Sequence, residues 1–143
     1  MIAVDTNVLV YAHRPEFPKH TAARTRLTSL AEADAPWGLP VFAIGEFLRV
    51  ITHPRLLDPP HTPAEASEAI SRILASPSSI VLYPGDRYTA TLLELVTASD
   101  VTGNLVFDAM IVAVCREHGV HTLLTEDRDF NRFEGLAVEH LEA

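Results

Sequence analysis

The sequence predicts an α/β sandwich built on a mainly parallel sheet. Two observations carry that expectation. Short apolar stretches alternate with stretches of helical spacing along all 143 residues, which is the pattern of strands joined by crossover helices. Carboxylates then punctuate the most apolar of these stretches, and in such sheets ligands bind outside the carboxyl ends of the strands. With 48% hydrophobic residues, the chain has enough apolar material for one domain over residues 1–143.

Ile2–Val4 is short, apolar and β-rich, and Asp5-Thr6-Asn7 supplies capping residues for a helical turn over residues 8–12. Residues 14–18 form a proline-bracketed loop. Ala23, Leu27, Leu30 and Ala31 recur at helical spacing, giving a helix from about residue 20 to residue 33. Residues 35–39, with Trp37, suffice only for a strand or turn, and Pro40 is placed to open the next helix. There Val41, Ile44, Leu48 and Ile51 form one stripe, while Phe42, Ala43 and Val50 make the other side apolar too. Burial nearly all round is expected. Pro54, Pro59, Pro60 and Pro63 mark a loop, and Pro63 starts a helix carrying Ala66, Ile70, Ile73 and Leu74. Residues 80–82 read as a strand ended by Pro84-Gly85, and Tyr88, Leu92, Leu95 and Val96 define a helix to about residue 99. Thr102-Gly103-Asn104 breaks it before an apolar helix over residues 105–115, for which Gly119 is the C-terminal cap. Residues 120–125 read as a strand, 126–133 as an irregular loop or short turn, and 136–140 as the last strand.

The charge narrows the function classes. With 19 acidic against 11 basic residues the formal net charge is −8, and no basic patch of the kind nucleic-acid binders display is present. A polyanionic substrate therefore has to be drawn in by bound metal and a few local arginines. The only cysteine, Cys115, lies inside the apolar run and reads as a small core hydrophobe. The N-terminus has no basic region and its apolar stretch is broken by Asp5 and Asn7, so no signal peptide is expected. No apolar segment approaches the roughly 18 residues that span a bilayer. A cytoplasmic protein with no membrane association is the expectation. The seven histidines are scattered without metal-ligand spacing.

The carboxylates carry the chemistry. The run 105–115 is apolar at every position except Asp108, Asp5 closes the apolar stretch 1–4, and Glu46 interrupts the run 41–51. Asp127 and Asp129 follow the apolar stretch 120–124. An unpaired carboxylate taken out of water costs on the order of several kcal/mol. The first basic residue after Asp5 is Arg14, and the first after Asp108 is Arg116. Convergence of these acids would raise their pKa values unless cations neutralise them, and hard Mg²⁺ or Mn²⁺ ions suit oxygen ligands. Each acid has a plainer reading beside this one. Asp5 can cap the first helix, Asp108 can be a first-turn acid, and Asp127 and Asp129 can be turn acids. Glu46 lies opposite the Val41/Ile44/Leu48 stripe, where a solvated Glu is normal, although Phe42 and Val50 beside it favour burial. Arg128 and Arg132 either contact phosphate or are simply solvated.

Four pieces stand in order: Val4-Asp5-Thr6-Asn7; Glu46 within Ala43-Ile44-Gly45-Glu46-Phe47; Gly103-Asn104-Leu105-Val106-Phe107-Asp108-Ala109; and Leu124-Thr125-Glu126-Asp127-Arg128-Asp129-Phe130. Together they resemble the four motifs of PIN-domain nucleases, and most closely the VapC-type toxins of bacterial toxin–antitoxin pairs. The resemblance implies a five-stranded parallel sheet sandwiched by helices and an acidic pocket holding Mg²⁺ or Mn²⁺ for RNA phosphodiester hydrolysis. The products then carry 5′-phosphate and 3′-hydroxyl ends. By the same resemblance Asp5, Glu46, Asp108 and Asp127 form the catalytic, metal-binding quartet, Asp129 is an additional acid, and Thr6, Asn7 and Thr125 give polar support.

The implied partners are an RNA substrate, a small VapB-like antitoxin and a second copy in a homodimer. The antitoxin is expected to put a basic or amide side chain into the acidic pocket and an apolar helix against Phe17, Leu56 and Leu57. A PIN-like module without catalysis, acting as a scaffold, is the alternative; it is favoured by loss of a quartet acid, and none is missing. Receiver domains and haloacid-dehalogenase-type phosphatases also gather aspartates at strand ends. They need a catalytic lysine, and the only one here is Lys19 in a loop, while Asn7 stands where the phosphatases need a second acid.

Overall fold

Side-chain alternation along very short strands sets up the layers. In the computed structural model, which describes residues 1–142, the strands are β1 (Ile2–Val4), β2 (Trp37–Pro40), β3 (Ser79–Leu82), β4 (Thr122–Leu124) and β5 (Ala137–Glu139). Val4, Trp37, Leu39 and Leu124 enter one core, while Ala3, Leu82 and Leu123 enter the other. Successive strand residues face opposite sides, so both faces of the sheet must be covered by helices. The helices are α1 (Thr6–His13), α2 (His20–Glu32), α3 (Val41–Ile51), α4 (Pro63–Leu74), α5 (Tyr88–Ala98) and α6 (Leu105–Glu117). The first four put Val8, Leu30, Phe47 and Ile70 into the first core. The last two put Leu95, Val112 and Ala113 into the second.

All pairings in the sheet are parallel, and the strand order is β3-β2-β1-β4-β5. The expected α/β/α sandwich with five parallel strands is thus the observed fold. The chain winds outward from β1 through β2 to β3, then returns to the other side of β1 for β4 and β5. That reversal places a topological switch point between β1 and β4, the position where sheets of this kind open a crevice at their carboxyl ends.

Local signals account for the helix ends. Thr62 and Glu65 form a reciprocal capping box with Pro63 at the start of α4. Gly119, just beyond α6, has φ +69°, a left-handed conformation open to glycine. Cys115 is buried, and burial pushes its thiol up to about 12, which leaves it the core hydrophobe the sequence suggested. Among the described residues no helix is long and apolar enough to cross a membrane.

Helix α3 departs from expectation. Instead of lying buried all round, it hides Ala43, Phe47 and Ile51 and exposes Gly45, Glu46 and Arg49. Ile44, Leu48 and Val50 are only half-buried against the same core. The physical reason is the layer arrangement: an outer helix of a three-layer sandwich has one side toward water, and here the Ala43/Phe47/Ile51 line faces the core. Boundaries shift slightly elsewhere. Thr6 and Asn7 already belong to α1, Pro40 ends β2 and precedes α3, and the irregular stretch after β4 contains a 3₁₀ turn over Arg128–Arg132.

Candidate active site

Strand pairing brings the first and last acidic motifs together. Val4 lies opposite Leu124, so Asp5 and Thr125 leave the sheet side by side, tied by the Asp5 N–H donating to the Leu124 carbonyl at 3.0 Å. Asp5 is the N-cap of α1, its Oδ1 accepting from the Thr6 N–H at 2.7 Å. Its Oδ2 accepts from the Thr125 hydroxyl at 2.7 Å. That hydroxyl has one hydrogen, given to Asp5; its lone pairs accept from Asn7 Nδ2 at 3.2 Å and the Asp127 N–H at 3.0 Å. Asn7 Oδ1 in turn accepts from the Glu126 N–H at 3.3 Å. Glu126 is tied to the C-terminal segment through the Leu141 N–H at 2.5 Å. Thr125, fully buried, therefore holds the floor of the crevice together.

Asp127 caps the 3₁₀ turn, its Oδ1 accepting from the Asp129 N–H at 2.9 Å. Asp108 comes from the first turn of α6. Asp108, Asp127 and Asp129 each present a ligand atom within 4.8 Å of the others, and they are the one such group of metal-ligating side chains among the described residues. Asp5, Glu46, Asp108 and Asp127 line a cavity of about 1080 Å³, together with Thr6 and Asn7. The acids are thus both the capping and turn residues that local chemistry suggests and the lining of one crevice.

The acids of the expected quartet are not equivalent. Glu46, expected as a buried carboxylate, is exposed and ion-paired with Arg49, whose Nε lies 3.1 Å from Oε2. It sits at the solvent side of α3, where an i,i+3 Arg neutralises it. Asp129, expected only as an extra acid, belongs to the tight trio, because the cap made by Asp127 turns the backbone back toward α6. Arg49 was missed in the sequence; its spacing from Glu46 was the available signal. Arg132 reaches Asp129, at 3.7 Å. Of the three residues expected at an apolar docking surface, Leu56 is 55% exposed and Phe17 half-buried, but Leu57 is only 5% exposed. The loop after α3 turns Leu57 into the first core, so it is withdrawn as a surface contact.

The electrostatics follow from this packing. Burial pushes the Asp5 carboxyl up to about 6; the Thr125 and Thr6 hydrogen bonds oppose that, and the charges of Asp127 and Glu46 add to it. Burial, followed by Asp127, Asp5 and Asp129, pushes Asp108 up to about 7. Such a crevice favours protons or cations. Thr125→Val keeps the shape but leaves Asp5 Oδ2 and the Asp127 N–H without their partner. It is expected to lower stability by about 1–3 kcal/mol, read by urea denaturation; an unchanged midpoint would show that the hydroxyl does not hold the crevice.

Comparison with known proteins agrees with this architecture. The model of the PIN domain family matches residues 2–136. Ribonuclease VapC43 of Mycobacterium tuberculosis is 39% identical over 140 residues, covering 98% of this chain and 95% of the relative. Ribonuclease VapC25 of the same species is 33% identical over 141 residues, covering 99% and 97%. Two solved structures share the fold. Rickettsia felis VapBC2, bound to a DNA fragment from its promoter, superposes with TM-score 0.71 at 19% identity, covering 99% of this chain and 100% of the other. Mycobacterium tuberculosis VapC20, described as a sarcin-ricin loop cleaving toxin, gives 0.70 at 20% identity, covering 96% and 99%.

Proposed function

The chain belongs to the PIN-domain family, and from that premise we propose that it is a divalent-cation-dependent endoribonuclease of the VapC type, the toxin of a toxin–antitoxin pair. The convergence of Asp108, Asp127 and Asp129 within 4.8 Å, beside a buried Asp5, carries this reading. An all-carboxylate donor set fits Mg²⁺ or Mn²⁺ rather than a softer ion. Asp108, Asp127 and Asp129, with Asp5 beside them, would hold the ion. When bound it supplies a water of lowered pKa and neutralises charge on the scissile phosphate.

The protein's own part is orientation. Thr125 fixes Asp5 and the Asp127 backbone in one place, and Asn7 fixes Thr125 and the Glu126 backbone. Phe42 and Phe107 give the cavity apolar walls, against which a base or ribose flanking the scissile phosphate packs while water is held off. Glu46, paired to Arg49 at the cavity wall, has a supporting role only. The reading includes one PIN domain over residues 1–143, a cytoplasmic location, hydrolysis to 5′-phosphate and 3′-hydroxyl ends, a homodimer, and a small antitoxin that covers the pocket. The relatives named VapC ribonucleases and the neighbouring VapBC complex support it.

Expression of the chain with and without the small reading frame next to its gene tests the proposal. Growth arrest relieved by co-expression, with chelator-sensitive cleavage of cellular RNA by the purified protein, is expected. Well-folded expression without arrest and without cleavage in Mg²⁺ or Mn²⁺ would overturn it in favour of a silent scaffold.

A further inference from the structure

A second cavity, which shares no lining residue with the acidic crevice, has the opposite electrical character. It measures about 470 Å³ and is lined by His13, His20, Arg24 and Arg72, with no carboxylate in its wall. In a chain of net charge −8 that concentration of cationic and imidazole groups is the reverse of the average surface. The Nδ1–H of His13 donates to the Leu9 carbonyl and that of His20 to the Tyr11 carbonyl, each at 2.7 Å. Carbonyls only accept, so each neutral ring carries its hydrogen on Nδ1 and presents Nε2 as an acceptor for a ligand's hydroxyl or amine. Arg24 has no ion-pair or hydrogen-bond partner among the described residues. Arg72 reaches Glu68 at 2.7 Å, but both side chains are largely exposed, and such pairs hold little in water.

Trp37 adds an independent observation. It lines the same cavity and is 1% exposed, yet its Nε1–H has no acceptor within the protein. A buried donor without a partner is costly, and a change of packing at this wall that gave it an acceptor would be favoured. Leu27 and Ile73 complete an apolar wall beside these polar groups. Two guanidinium groups, two imidazole acceptors and an apolar wall together describe a ligand with a phosphate at one end and a ring system at the other.

We propose that this cavity binds a nucleotide, its phosphate between Arg24 and Arg72, its hydroxyl or amine groups on the two imidazole acceptors, and its sugar or base against Leu27, Ile73 and Trp37. The source is either a free mononucleotide or a nucleotide within an RNA strand. The site is separate from the acidic crevice, so it stands or falls independently of the cleavage reaction.

Trp37 is the only tryptophan in the chain, so its indole N–H gives a single resonance that reports on the cavity without any turnover. The experiment titrates AMP, a pentanucleotide RNA and inorganic phosphate into the full chain in EDTA, following that resonance. Saturable movement with AMP supports a free nucleotide; saturation only with RNA supports a strand-borne one. Arg24→Ala with Arg72→Ala should weaken whichever binds by about tenfold or more, while Arg87→Ala, outside the cavity, leaves it unchanged. A resonance that neither AMP nor RNA moves, equal movement in the double variant, or inorganic phosphate binding as tightly as AMP would overturn the assignment.

Discussion

Asp108→Asn and Asp127→Asn, tested separately, each lower metal-dependent RNA cleavage by at least about a hundredfold, and Asp5→Asn does the same, with the fold retained in all three. Each substitution removes one negative charge from a crevice whose acids repel one another, so none of them strains the protein. Asn is nearly isosteric, and at position 5 it can still accept from the Thr6 N–H. What it loses is the anionic oxygen that attracts a cation. Glu46→Gln is the internal comparison: its exposed carboxylate is already neutralised by Arg49, and the expected loss is under about tenfold. Cleavage rates of purified variants on one RNA, with circular dichroism to confirm folding, decide the matter. Near-normal cleavage by any of the three Asp→Asn proteins would remove that residue from the site, and retention by all three would sink the nuclease proposal.

The second large effect is on stability, and its sign is opposite to that of an ordinary surface aspartate. Asp5 and Asp108 have folded-state pKa values of about 6 and about 7, above the 3.8 of an unperturbed carboxyl. Their contribution is fully present below the unfolded value and is lost as pH rises through 6 and 7. The metal-free protein should therefore weaken between about pH 4 and pH 7. For buried Asp5 the raised value corresponds to about 3 kcal/mol of lost stability. Asp5→Asn should be the more stable protein at pH 8 without metal, by about 2 kcal/mol once the Thr125 hydrogen bond is subtracted. Mg²⁺ or Mn²⁺ at a hundredfold excess over Kd restores about 2.7 kcal/mol, a rise of about 10 °C in melting temperature for a domain of this size. The rise should be larger at pH 8 than at pH 6, because protons compete for the same oxygens. Melting curves from about pH 4 to pH 8, with and without metal, test it. A melting temperature indifferent to both ions, or a response unchanged in the Asp5→Asn/Asp108→Asn protein, would place the cations elsewhere.

Periodicity and punctuation made most of the fold legible. The apolar triplet before Asp5 and the run before Thr125 read as strands, and placing ligands at strand ends puts Asp5 and Asp127 on one edge. Depth was not legible. Helical spacing says which residues share a face but not how far that face sinks, so Glu46 read as buried when only Ala43, Phe47 and Ile51 of its helix are. Leu57 was misjudged for a related reason: a proline-rich loop has no period, and its inward turn depends on α4 and the first core. Asp129 joined the tight trio through the cap at Asp127, a three-residue backbone event that composition does not show. The cationic cavity escaped notice altogether, since His13, Arg24, Trp37 and Arg72 come from four separate elements and no local window contains more than two of them.

The bond between Thr125 and Asp5 spans 120 positions of sequence, and the ribosome makes its two ends at different times. At 5–20 residues per second the hydroxyl is polymerised on the order of 10 s after the carboxylate it must meet. A nascent chain that has released Asp5, and even Asp108, still lacks β4, the strand that seats beside β1 and carries Thr125 and Asp127. The acidic crevice is therefore assembled only when β4 seats beside β1 and brings Thr125 and Asp127 to Asp5.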